Sequence, residues 1–515
     1  MVTFEWIIGL LLGAVALSAL AQRINVPYPT LLAIGGALLP FIPSAPSWTL
    51  EPDLALALFV APVLLDAAYD TSLRDLRNNW LPVSALVFAA VGVTTAAVAV
   101  LAHTLRPDIP WSAAIALGAI VAPPDAAAAT AILRKVNLPH RMLKILEGES
   151  LLNDASALLI YRVAVGAAAV EHFRWSAFAP SILLALAGSL IAGYLLARAW
   201  TQLTSRITDA PSAIIMQFGG TFIVWILAEK IGLSGILTVV AFAITIARTA
   251  PAETPARIRV PSYAVWETAV FVLNVLAFML IGMQLRPIWD RLDAFVRFEY
   301  CVFAALIVGA VIFARITWVM LYGVTFRSLV GSGLIRPPRT MAVPTLQGGL
   351  VISWCGMRGI VTLAAAFALP ESFPSRDIIL FSAFAVVLGT LTVQGLTLRP
   401  LILSLGLKDE QDPVAAEAAR ARAAAYRAAL EEIEGDPSEE AELLRLEYRG
   451  LLMQAESNPD GGITSDELPA DPLRRRALAA ARSAILNMRE SEEIGDDAFH
   501  QVEEELDRAV LGARG

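Results

Sequence analysis

Glu147-Gly148-Glu149-Ser150-Leu151-Leu152-Asn153-Asp154 lies inside an otherwise apolar run over residues 144–170. An ionised side chain at the centre of a membrane helix costs about 2.5–3.5 kcal/mol even on the lenient insertion scale, so acids there need a chemical reason. Helical spacing supplies one. Residues four apart share a face, so Ser150 lies beneath Asp154, with Asn153 close beside it. A hydroxyl, an amide oxygen and a carboxylate then converge, a hard oxygen set that suits an unhydrated alkali cation, where zinc or copper would want nitrogen or sulfur. The same stretch also reads as a polar seam hydrogen-bonded to a neighbouring helix.

The rest of the chain sets that stretch in a membrane. Of 515 residues, 57% are hydrophobic and 17% charged, a membrane composition. Spans of about 20 apolar residues fall near 4–21, 28–43, 53–70, 80–105, 111–133, 144–170, 177–204, 211–230, 232–250, 264–286, 299–325, 346–370 and 378–405. The expectation is an all-α polytopic membrane protein with about 13 transmembrane helices over residues 1–407. The first run lacks a basic leader and carries Glu5, so it reads as a span, not as a cleaved signal. Lys and Arg number 15 in the loops after odd spans and 7 in the opposite loops. That bias predicts a multi-pass cell-membrane protein with its N-terminus outside and its C-terminus cytoplasmic.

Residues 409–515 carry 26 acidic against 12 basic side chains, whereas residues 1–408 carry 21 against 27. From residue 408 the pattern is Ala, Glu and Arg at helical spacing with breaks at Asp436-Pro437, Asn458–Gly462 and Leu468-Pro469, predicting a cytoplasmic acidic helical domain over 408–515. The acidic tail argues against nucleic acid as a partner. Cys301 and Cys355 fit neither a disulfide framework nor a metal motif, and the four histidines lack zinc spacing. No cofactor is expected.

Two spans are interrupted in opposite halves, at Ala122-Pro123-Pro124-Asp125 and at Trp354-Cys355-Gly356-Met357-Arg358-Gly359. Unwound backbone at that depth is tolerated only where it is buried in protein or lines a cavity, and paired broken helices point to a transporter's binding site. The prolines free carbonyls beside Asp125, which also suits the N-cap of a half-helix starting at Ala126. Asp66 follows Pro62 and reads equally as a third ligand or as the polar end of its span. Arg358 lies in apolar surroundings and needs an acid partner, with Glu149 the first choice; the partners of Glu147, Arg162 and Arg315 stay open.

The run Leu146–Ala155, the acid of Pro124-Asp125, and the Trp354–Gly359 string followed by Leu369-Pro370 together resemble the monovalent cation:proton antiporter-1 family, which includes bacterial NhaP-type antiporters and animal sodium/proton exchangers. The resemblance covers roughly residues 5–405. It implies inverted repeats, two crossed broken helices in a mobile core, a separate dimerisation scaffold and a homodimer. It implies Asp154 as the ion-binding aspartate with Asn153, Asp125 and Ser150 around it, Asp66 where many members have an acid, and Glu149 with Arg358 as a structural ion pair. The Asn-Asp order implies exchange of one Na⁺ for one H⁺ without net charge movement, by alternating access. Pro124 stands where many bacterial members have threonine, which bears on selectivity. K⁺ in place of Na⁺ is the nearest alternative. A cation channel would use similar groups, and an intramembrane aspartyl protease would need a Gly-x-Gly-Asp string that the chain lacks. An antiporter, not an enzyme, is the expectation.

Overall fold

Apolar runs divided by charged or proline-bearing loops leave the backbone one way to satisfy its polar groups in lipid, which is to coil on itself. The computed structural model describes residues 2–24, 26–42, 54, 56–69, 71–125, 129–130, 133, 138–168, 175–283, 286, 289–290, 293–334, 343–407, 413–457, 471–491, 502 and 506. It is 86% helical, with no strand among the described residues. Asp70, the alanines at 126–128, and the chain breaks at 458–462 and 468–469 lie outside them. So do six of the counted loop charges, Arg134, Lys135, Arg174, Arg291, Arg336 and Arg339.

The helices are α1 (Val2–Arg23), α2 (Tyr28–Leu38), α3 (Ala61–Tyr69), α4 (Leu73–Asn78), α5 (Trp80–Leu105), α6 (Trp111–Val121), α7 (His140–Ala168), α8 (Trp175–Thr204), α9 (Ala210–Lys230), α10 (Gly235–Glu253), α11 (Ala256–Met283), α12 (Ala294–Gly331), α13 (Leu346–Trp354), α14 (Ile360–Phe367) and α15 (Arg376–Leu405). Among the described residues eight are long and apolar enough to cross a membrane: α1, α5, α7, α8, α9, α11, α12 and α15. The others are shorter for local reasons. α6 stops at the Pro123-Pro124 break, and α13 and α14 are the two halves of one span parted by 355–359. Residues Leu56–Val60 and Ala85–Ala90 wind as π-helix, a widening that period alone did not predict and that gathers at functional sites.

Two packing groups form within residues Met1–Lys408. α8 packs on α10, α10 on α3 and α9, and α11 on α2; α5 packs on α6 and α12, α6 on α7, and α12 on α13 and α15. Small residues permit the closest contacts: a Cβ on Gly118 would stand 2.4 Å from the Thr95 carbonyl oxygen, and one on Gly193 2.5 Å from that of Thr238. Backbone-to-backbone approach of this kind is how helices gain dispersion contact without a hydrophobic drive. Asp209 caps α9, accepting from the Ser212 amide at 2.9 Å. Bonds from the Ser212 side chain and amide hold its carboxyl below the usual carboxylate range.

Residues Asp409–Gly515 form a second compact unit, with α16 (Pro413–Ile433), α17 (Glu439–Ser457) and α18 (Asp471–Glu490). α16 and α17 form a pair. Its turn is fixed by Arg445, whose Nη1 donates to the carbonyls of Ile433 and Asp436, both at 2.9 Å, groups a helix end leaves without partners.

Candidate ion-binding site

The two broken spans meet. Asp125 N–H donates to the Met357 carbonyl at 2.7 Å, and a Cβ on Gly359 would fall 1.7 Å from Asp125 Oδ2. The carboxylate therefore lies against a Cα that has no side chain, at the N-terminus of α14, where free N–H groups and the helix dipole favour negative charge. α7 closes this crossing from the side. Asn153, fully buried, donates from Nδ2 to the Pro124 carbonyl at 2.7 Å, while its Oδ1 has no hydrogen-bond partner. A buried amide oxygen left without a donor is an acceptor held ready. Ser156, one turn on, lies 2.6 Å from the carbonyl of Val87, tying α7 to the π-helical stretch of α5.

Asp154 is 8% exposed. It shares a cavity of about 1120 Å³ with Asp125, Ser150 and Asp66, and Pro123, Pro124 and Gly359 also line it. The cavity extends between the two packing groups to residues of the 205–208 and 254–255 loops. Thus four of the expected ligands face one space, and Asn153 buttresses the crossing behind them.

The two central arginines do something other than what their sequence suggested. Glu149 pairs with Arg315, not with Arg358: the contacts are 2.5 Å from Nη1 to Oε1 and 2.9 Å from Nη2 to Oε2, with both side chains 2% exposed. Arg315 further donates to the carbonyls of Ser353 (3.2 Å) and Ile352 (3.0 Å), at the C-terminal end of α13. Arg358 donates to Val121 O at 2.9 Å, Ala122 O at 3.1 Å and Gly356 O, and the first two close the C-terminal end of α6. Its own N–H donates to Thr390 Oγ1 at 3.0 Å. A broken helix exposes carbonyls carrying partial negative charge, and five guanidinium donors in a fixed fork meet several at once. The expected Glu149–Arg358 pair is thus corrected: each arginine caps one broken helix, and only Arg315 carries the carboxylate. Of the open partners, Arg162 meets Glu229 at 2.8 Å and Glu147 meets Lys144 at 2.8 Å.

The profile described as "Sodium/hydrogen exchanger, transmembrane" matches residues 7–404. The chain belongs to the sodium/hydrogen exchanger family. The chain is 30% identical over 410 residues to a sodium, potassium, lithium and rubidium/H⁺ antiporter of Bacillus pumilus, covering 76% of this chain and 60% of that protein's length. It is 29% identical over 532 residues to an uncharacterized Na⁺/H⁺ exchanger of Mycobacterium tuberculosis, covering 97% of this chain and 94% of that one. A low-affinity Na⁺/H⁺ antiporter of Synechocystis is 28% identical, with 84% and 80% covered. In fold the chain is similar to the sodium proton antiporter of Methanocaldococcus jannaschii, with a TM-score of 0.61 at 18% identity over 79% of this chain and 99% of that one. The family is one of multi-pass membrane transporters, not enzymes.

Other polar residues of the cavity carry no signal in the sequence. Tyr28 and Asn274 line the cavity with Thr130 and Thr362. An uncharged polar residue in an apolar span carries little signal. Tyr28 at the start of a span reads as interfacial, and only the fold brings α2 and α11 across from Asp154.

Proposed function

We propose that this protein exchanges Na⁺ for H⁺ across the membrane, one for one, with Asp154 as the site that cation and proton share. The observation that carries this reading is that Asp154 and Asp125 open into one cavity at the crossing of two broken helices, beside a buried amide oxygen with no partner. Asp154, Asp125, Ser150 and Asp66 supply oxygens to a partly dehydrated cation, and Asn153 positions the crossing through Pro124. A carboxylate binds a proton or a cation in the same place, so each displaces the other. Asn153 does not titrate, which leaves one charge to be traded for one charge.

The cavity runs toward the loops that the Lys and Arg bias assigns to the cytoplasm, so this conformation is the one that loads from inside. Sliding of the α5–α7 and α12–α15 group past its neighbour would expose the site to the other side, the N-terminus lying outside and the C-terminus inside. The scaffold group is also where two copies would join as a homodimer. K⁺ on the same site is the second reading, favoured by a specific observation: the B. pumilus relative's name includes potassium beside sodium.

The test is a proton-flux assay in proteoliposomes loaded at fixed internal pH and challenged with Na⁺, K⁺ or Li⁺. The wild-type chain alkalinises or acidifies the lumen on addition of its cation, without a membrane potential being required. Asp154→Asn inserts normally and shows no cation-driven flux. Undiminished flux in that variant would overturn the assignment.

A further inference from the structure

The cavity face of α7 does not end at Ser150. Glu147, three residues before Ser150 and seven before Asp154, is on the same side of the helix and lines the same cavity. Seven residues at 1.5 Å each set Glu147 about 10 Å nearer the start of α7 than Asp154, toward the side that the loop charges assign to the cytoplasm. Exposure falls with depth: the Glu147 side chain is 23% exposed and Asp154 8%. The face thus carries a carboxylate at each end with a hydroxyl between them, wet at one end and dry at the other.

Glu147 already holds a monovalent cation. The Lys144 ammonium lies 2.8 Å from its Oε2, and the lysine side chain is 20% exposed. An ammonium is a compact, strongly hydrated point charge on a flexible stem, alike in charge and in its demand for oxygen to an alkali ion. A pair that water still reaches is weak, because solvent screens it and a long side chain must be held in place. An arriving cation can take the carboxylate and leave the lysine to swing into solvent. The neighbouring acid is built the opposite way: Glu149, on the other side of the helix, gives both oxygens to Arg315 in a dry, bidentate pair. The need for an outer acid comes from α11. It lines the cavity with Arg257 and Arg259 against Glu267 alone, and so presents net positive charge to an incoming cation.

We propose that Glu147 is an outer station for the transported cation, which takes it from Lys144 on the way in and passes over Ser150 to Asp154. Lys144 is then a tethered competitor that raises the cation concentration needed to load the site. The proposal rests on Asp154 as the shared site and fails separately from it: flux retained in Asp154→Asn removes that reading, whereas this one is measured in chains whose Asp154 is intact. The test follows cation-driven proton flux against Na⁺ concentration in everted vesicles carrying the full chain, with choline chloride setting the ionic strength. In Glu147→Gln the half-saturating concentration rises about two- to fivefold, the factor that corresponds to a partly wet ion pair, while maximal flux does not change. Lys144→Gln lowers it by a similar factor, and the double variant follows Glu147→Gln. These differences shrink as choline chloride rises from about 0.01 M to about 0.15 M, since screening weakens the pull of an exposed charge. A pair that serves only structure predicts otherwise: both single changes then shift flux in one direction and lower the thermal midpoint together. That pattern, or a half-saturating concentration unmoved in either single variant, overturns the proposal.

Discussion

At the scale of single residues, the site depends on a few atoms whose surroundings leave no slack. Gly359 is one. Its missing Cβ is the space that Asp125 Oδ2 occupies, so Gly359→Ala must push the carboxylate off the start of α14. The expected result is a chain that inserts but transports at least about tenfold more slowly, one decade corresponding to about 1.4 kcal/mol; cation-driven flux at the wild-type rate would contradict it. Asn153 is the other. Asn153→Ala removes the donor that Pro124 O accepts and vacates the amide oxygen, leaving a buried carbonyl unsatisfied at a cost of about 1–3 kcal/mol. The thermal midpoint falls and the cation concentration for half-maximal flux rises. A change in neither would show that the amide serves no role at the crossing. The acids were legible in the sequence because a charge in an apolar span stands out. Tyr28 and Asn274 were not, because their polarity is ordinary and only the fold makes them neighbours of the carboxylates.

At the scale of elements, the breaks in the fifth and twelfth spans create free carbonyl ends, and two arginines close them. Both breaks are legible in the sequence, from Pro123-Pro124 and from Gly356 and Gly359. Apolar surroundings suggest an acid partner for Arg358, such as Glu149. The stronger demand comes from backbone carbonyls that the breaks themselves release, and Arg358 satisfies those of α6 with no carboxylate paired to it among the described residues. Arg315→Ala leaves Glu149 charged and buried with nothing to balance it, and is expected to destabilise the protein by about 3–5 kcal/mol. Glu149→Ala with Arg315→Ala together costs less than the two single changes summed, since neither charge is then stranded. Thermal unfolding in detergent measures all three, and strict additivity would show that the pair is not coupled. Arg162 and Glu229 offer the contrast: at 48% and 39% exposure, breaking them costs about 1 kcal/mol or less.

At the scale of the whole molecule, most of the fold was visible because the bilayer permits few answers to a run of 20 apolar residues. The apolar runs and the helices correspond in order, with α13 and α14 sharing one run and the short charged α4 lying outside all of them. What period and composition could not give was the narrowing and widening inside the runs: the π-helical stretches at 56–60 and 85–90, and the early end of α2 at Leu38. Those depend on which helix lies alongside. The orientation read from loop charge is checked by labelling in whole cells with a membrane-impermeant maleimide. Asp108→Cys reacts from outside and Thr208→Cys only after lysis, and the reverse pattern would invert the topology. The most direct test of the central claim, that one carboxylate holds either a proton or a cation, is equilibrium binding of radioactive Na⁺ to the purified protein as a function of pH. The account predicts that one proton leaves per cation bound, that apparent affinity falls about tenfold per pH unit on the acid side, and that Asp154→Asn binds none. Binding that is independent of pH, or retained in Asp154→Asn, would contradict it.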